Sequence, residues 1–224
     1  MGSKQLVDQI RRRLRAVAEP ERAAGMQRYM KSEMPYLGVR MPVLRGVVRE
    51  TTRAAPPVLQ EIQAAASTLW READYREERY AATALTGLGP AVGQLELLPL
   101  HTEMITTGAW WDHVDEVSQR VGATLAAHPD VVRPLVVSWT TDDDRWLRRA
   151  SIICQLGRKG STDLALLTVA IDANLDDREF FIRKAIGWAL RQYARTDPDW
   201  VRRFVVERDE QLSPLSRREA LKHL

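Results

Sequence analysis

Cysteine and histidine are scarce: one cysteine, Cys154, and four histidines in 224 residues. A lone cysteine excludes an internal disulfide, and no Cys, His or acidic cluster shows metal-ligand spacing, so neither a metal nor any other cofactor is expected. Long apolar runs are missing too. Charge interrupts every apolar stretch well short of the roughly 20 residues a membrane span needs, and residues 1–17 have no signal-peptide core, which points to a cytoplasmic protein without membrane attachment. No β-branched alternating stretch asks for a sheet. Phosphate-binding and nucleophile-elbow loops are likewise absent, since Gly87-Leu88-Gly89 lacks both a third glycine and a preceding strand. Nor does either sign of charge dominate. With 33 Lys+Arg against 30 Asp+Glu the net charge is only +3, so any anion-binding surface must come from how the charges are arranged.

What the chain has is helical periodicity. It is 45% hydrophobic and 28% charged, a globular composition, and apolar residues recur at helix spacing from Leu6, Ile10, Leu14 and Val17 onward. Prolines and glycines fall between the periodic segments and cut them into about a dozen helices, so the fold class is all-α. Asp130, Asp142, Ser161 and Asp176 suit N-cap or first-turn positions. The segment Trp146-Leu147-Arg148-Arg149-Ala150 reappears about 35 residues later as Phe181-Ile182-Arg183-Lys184-Ala185, with a related start at Arg79-Tyr80-Ala81-Ala82. Such a period in an all-helical chain marks stacked helical hairpins of the HEAT or TPR kind, a superhelical stack whose inner helices line a groove. We therefore expect one elongated domain over residues 1–224, with a non-repetitive bundle as the alternative.

Two segments concentrate chemistry. Trp110-Trp111-Asp112-His113-Val114-Asp115 holds two indoles and two carboxylates, and on a helix Trp111 and Asp115 share a face. In Glu179 to Arg191, helical spacing aligns Phe181, Lys184, Trp188 and Arg191, while Ile182, Ile186 and Ala189 form a separate core stripe. Gly187 implies close approach of a neighbouring backbone or of a ligand. In the repeat register Asp115, Arg149 and Lys184 fall at nearly equivalent positions, so an acid and two cations line one groove beside indoles. Cations hold phosphates and indoles stack on bases, which suits nucleic acid better than an apolar peptide. The competing reading is that the tryptophans are core, that Asp112 is a cap, and that Arg148, Arg149, Arg183 and Lys184 are a solvated face. Near the C-terminus, Ser216 reads as an N-cap completed by Glu219, with Arg217 and Arg218 available to a phosphate.

These residues resemble the AlkD family of DNA alkylation repair glycosylases. The likeness runs from about Glu21 to His223 through Arg28-Tyr29-Met30-Lys31, Tyr36-Leu37-Gly38, Trp110 to Asp115, Trp146 to Ala150, Glu179 to Arg191 and Pro214 to Ala220. It implies a HEAT-like array with a concave basic groove that embraces duplex DNA and hydrolyses the N-glycosidic bond of cationic N3- and N7-alkylated purines. Carried over by motif, Asp115 is the catalytic carboxylate, Trp111 and Trp188 face the lesioned nucleotide, and Tyr29, Arg149 and Arg191 meet DNA. Arg40 stands where the family implies an uncharged polar group and joins Arg148, Lys184, Phe181, Arg217 and Arg218 as a further DNA-facing candidate.

The resemblance implies a monomer without an obligate protein partner, associated with the nucleoid when DNA is bound. A non-catalytic helical scaffold for nucleic acid or protein is the alternative, and RNA binding a third reading. The enzymatic reading requires that Asp115 face the rings; a carboxylate buried in a salt link, or turned away from both, would remove it.

Overall fold

The structure is a computed structural model that describes residues 2–224. Among these residues it contains thirteen α-helices and three short 3₁₀ turns, with no strand, so the all-α expectation holds. The chain divides into two compact units, residues 1–100 and 101–224.

The first unit is built from α1 (Ser3–Ala16), α2 (Pro20–Met30), α3 (Met41–Ala54), α4 (Leu59–Arg71) and α5 (Arg76–Leu85). Leu6, Ile10 and Leu14, at spacings of four, put one stripe of α1 into a core shared with Leu44 of α3, Ile62 and Leu69 of α4, and Leu85 of α5. Within it Glu78, fully buried on α5, binds Arg11 at 2.9 Å and Arg15 at 3.3 Å, tying the polar edge of α1 to α5.

The second unit continues α6 (Leu98–Gly108) with α7 (Trp111–Ala127), α8 (Pro129–Trp139), α9 (Arg145–Ile153), α10 (Leu164–Asp172), α11 (Phe180–Tyr193), α12 (Pro198–Glu207) and α13 (Pro214–Ala220). In it α7, α9 and α11 pack side by side, α13 closes on α11, and α8 packs on α10 behind them. Neighbouring helices of this unit, α7 with α8, α8 with α9 and α9 with α10, also pack on one another. Proline opens α2, α8, α12 and α13 at the first helical position, where its missing N–H costs nothing.

The caps differ from expectation. Asp144, Asp163, Asp197 and Ser213 are the side chains that accept from the first-turn N–H groups of α9, α10, α12 and α13. Asp142 and Ser161 lie two residues too early; Asp142 instead accepts from the Asp144 N–H in a local turn. The carboxylate before α11 that caps a turn is Asp177, beside Asp176, and it accepts from Glu179 N–H. Asp130 does sit in the first turn of α8.

Two buried features make the second unit sensitive to single substitutions. Gly122 on α7 lies so close to the end of α9 that a Cβ there would stand 1.9 Å from the Cys154 carbonyl oxygen. No rotamer relieves a contact with backbone, so Gly122→Ala forces α7 and α9 apart. We expect a loss of about 3 kcal/mol in denaturant unfolding, against well under 1 kcal/mol at Gly160, where a Cβ meets nothing within 4 Å. The Cys154 thiol beneath is fully enclosed and pushed up to about 12 by burial, which removes it as a nucleophile.

His101 is 1% exposed and neither ring nitrogen has a hydrogen-bond partner. Burial, aided by the nearby Arg120 charge, pushes it down to about 4. The folded state therefore resists a proton that the unfolded chain accepts below about 6.5. Its stability contribution is complete above that pH and is lost as pH falls toward 4, by roughly 3 kcal/mol in all. His101→Leu should flatten this part of the pH–stability curve in thermal melts between pH 4 and 7.

Candidate functional site

Asp115 lies on the second turn of α7, and Arg149 on the adjacent α9 reaches it with both edges of its guanidinium. Arg149 Nε donates to Asp115 Oδ1 at 2.7 Å and Nη2 to Oδ2 at 2.9 Å. The remaining arm, Nη1, donates to the backbone carbonyl of Phe181 at the start of α11. One guanidinium thus fixes the carboxylate and links three helices that pack side by side, α7, α9 and α11. The Asp115 side chain keeps 18% of its surface accessible and that of Arg149 only 5%. Burial and Asp112 push the Asp115 carboxyl above its ordinary value, and the bidentate charge-assisted pair with Arg149 opposes them.

The first disqualifying condition, burial in a salt link, is met as to the link and not as to full burial. The carboxylate is in a salt link, but it is not sealed. Bidentate pairing occupies one edge of the group, and each oxygen retains a lone pair that can meet a cation from the accessible side. Arg149, in contrast, has all three nitrogens engaged within the protein and is buried, so the expected DNA-gripping residue is withdrawn from a phosphate in this structure.

An aromatic cluster stands at the same end of the helices. Trp110 just before α7, Trp146 in the first turn of α9 and Phe181 in the first turn of α11 have ring centroids 5.1 to 6.0 Å apart. The repeat puts an aromatic at each helix start, and the rings pack on one another there, so Phe181 is a member of this cluster before it is a DNA contact. Its neighbour Phe180 is the exposed ring, at 57%. Trp111, partly buried, shares the helical face of Asp115. Trp188, also partly buried, packs against the apolar core of the C-terminal helices. His113 is buried beneath α7.

The other expected phosphate arms are committed as well. Arg148 donates to the Asp142 and Asp143 carbonyls and to the Asp177 carboxylate at 3.0 Å, bracing the loop before α11. Lys184 pairs with Glu219 Oε1 at 3.0 Å, and Arg191 pairs with the other oxygen of the same group. Those two cations hold Glu219 below its ordinary value. Ser216 is not an N-cap and Glu219 completes no capping box: Ser213 caps α13, leaving Ser216 Oγ to donate to the Arg183 carbonyl and Glu219 to face α11. Gly187 makes this possible. A Cβ at that position would lie 2.5 Å from Glu219 Cβ and 2.9 Å from Ser216 O, so its close approach is to helix α13 and not to a ligand. Arg217 pairs with Asp209 at 3.0 Å, while Arg218 is exposed and makes no ion pair among the described residues.

In the first unit, Tyr29 is 74% exposed on α2, and Arg40, before α3, is exposed beside Glu19 at 3.7 Å. Sequence reasoning missed Asp177 and Glu77, both of which organise candidate segments. Glu77 is fully buried and accepts from the N–H groups of Leu37, Gly38 and Val39, fixing the turn that leads to Arg40. No spacing rule finds such a group, because its partners are backbone atoms about 40 residues away.

Among the described residues, no group of three or more His, Cys, Asp or Glu side chains is placed to hold a metal ion, and no helix is long and apolar enough to cross a membrane. The geometry defines an all-helical protein with a partly accessible, guanidinium-held carboxylate on helices whose starts carry clustered aromatics. The profile of the family described as "DNA alkylation repair enzyme" matches residues 10–224, and the chain belongs to that family. Its structure is similar to one described as a predicted DNA alkylation repair enzyme from Enterococcus faecalis, with 30% sequence identity, a TM-score of 0.80, and coverage of 92% of this chain and 96% of that one. None of the curated proteins compared with it matches.

Proposed function

We propose that this DNA alkylation repair protein is a glycosylase that hydrolyses the N-glycosidic bond of cationic N3- or N7-alkylated purines in duplex DNA, acting as a monomer in the cytoplasm. The observation that carries the reading is the Asp115 carboxylate, held by Arg149 through two hydrogen bonds and still partly accessible. N-alkylation has already made the purine a cation, so the leaving group needs no proton from the protein. Charge in the transition state develops on the deoxyribose, where a fixed carboxylate stabilises the oxocarbenium-like centre and orients water. Trp111 and Trp188 supply π faces toward the electron-poor sugar and base. The family match over residues 10–224 supports treating both units as one HEAT-like repair domain.

The phosphate grip is reassigned. Arg148, Arg149, Lys184 and Arg191 spend their charge within the protein, so DNA contact falls to exposed groups, with Arg218, Arg40 and Tyr29 retained from the sequence reading. The same commitment of four cations favours a second reading, a DNA-binding scaffold in which Asp115 and Arg149 only staple helices. Release of N7-methylguanine from a duplex by the native chain and by Asp115→Asn separates the two. Loss of release with retained binding supports catalysis by Asp115, no release by the native chain leaves the scaffold, and equal release by both refutes the role given to Asp115.

A further inference from the structure

Beyond the Asp115 centre the second unit contains a cavity of about 290 Å³, between the C-terminal ends of α9 and α11 and the start of α10. Ile152, Leu167 and Ala189 give it an apolar floor, and Lys159, Gln192 and Arg195 line it with polar groups. Among the described residues none of these three polar side chains has a hydrogen-bond or ion-pair partner, Lys159 and Arg195 are exposed at the rim, and no carboxylate lines the space. The volume lies at the lower end of the small-ligand range.

Helix C-termini attract cations, which accounts for basic residues near the ends of α9 and α11. It does not account for the backbone at Lys159. That residue adopts φ +52 although Gly160, which would take this conformation without steric cost, is its neighbour. Of the three non-glycine residues with positive φ among the described residues, Lys31, Ala109 and Lys159, Lys159 is the one that lines this cavity.

We propose that this cavity is a nucleotide-binding subsite: a base rests on the apolar floor, Gln192 faces its edge, and a phosphate meets Lys159 and Arg195. The nucleotide has two possible sources, a free mononucleotide or a residue of a DNA strand. The subsite does not depend on the role assigned to Asp115.

Calorimetric titration of the full chain with guanosine 5′-monophosphate, guanosine and inorganic phosphate tests the proposal. The mononucleotide should bind saturably, and each half at least about tenfold more weakly. Lys159→Gly and Arg195→Gln should each weaken it by about tenfold. Lys159→Gly should melt no lower than the parent, because glycine suits the backbone there, and Asp115→Asn should bind the mononucleotide as the parent does. If the nucleotide comes from DNA, the free compound fails to bind, while Lys159→Gly lowers duplex affinity and reduces its salt slope by about one. If both substitutions leave mononucleotide and duplex affinity unchanged, the assignment is wrong.

Discussion

Asp115→Asn should lower the rate of N7-methylguanine release by about 10² to 10³, the usual effect of removing one fixed electrostatic contact to a transition state. Duplex affinity should change by only a few-fold, since an acid contributes nothing favourable toward phosphates. The substitution also leaves the 5%-exposed Arg149 side chain facing a neutral amide, and breaking a buried pair from one side costs about 3 to 5 kcal/mol. A fall in activity could then reflect lost structure alone. The double variant Asp115→Asn with Arg149→Met resolves this, because it removes the stranded charge and should recover much of the lost stability. If Asp115 only staples α7 to α9, activity returns with stability. If it stabilises the sugar cation, thermal unfolding recovers and base release stays low. In the native protein, release should also decline on the acid side, with a midpoint above the ordinary carboxylate value of 3.8 because burial raises the group. That limb should vanish in the Asn variant.

The fold was legible because its signals are local. Apolar stripes such as Leu6, Ile10 and Leu14, and prolines at helix starts, act within a turn or two of chain. The repeat register was read from equally local signals, and it placed Asp115 and Arg149 at nearly equivalent positions along one groove. It could not say what they do to each other. Equivalent positions in stacked helices are neighbours, so an acid and a cation in register form a pair before they form a row of separate binding groups. The same logic took Lys184 and Arg191 into the Glu219 clamp. A cation is free for phosphate only where no acid of the next helix lies within reach, a property of packing that sequence spacing does not encode. Cap positions missed by two residues for a related reason: any Asp or Ser in a loop can accept an N–H, and the helix start is chosen by which hydrophobic register wins. The caps moved while the helices stayed.

Glu77→Ala should destabilise the first unit by about 4 kcal/mol, among the larger effects expected of one buried side chain. The carboxylate is fully enclosed, with Oε2 accepting from Leu37 N–H at 2.9 Å and Oε1 from Gly38 and Val39 N–H at 2.9 and 3.0 Å. Burial pushes its pKa up while those N–H groups pull it down, so backbone dipoles take the place of a cation. The turn they hold has no alternative path. Gly38 sits at φ +84, where a Cβ would meet the Glu19 carbonyl at 2.0 Å, and Leu37 O accepts from Glu19 N–H at 3.0 Å. Removing Glu77 strands three donors between α5 and the start of α2, where little solvent reaches them. Glu77→Gln keeps the volume but presents an N–H₂ to donors, so it should recover only part of the loss; Glu77→Asp, one methylene short, should also fall between. Denaturant unfolding of the three variants checks the order. A loss below about 1 kcal/mol for Glu77→Ala would mean that the turn is held by packing rather than by this carboxylate. Hydrogen exchange reads the same claim locally, because the amides of Leu37, Gly38 and Val39 should lose protection ahead of the core of α1.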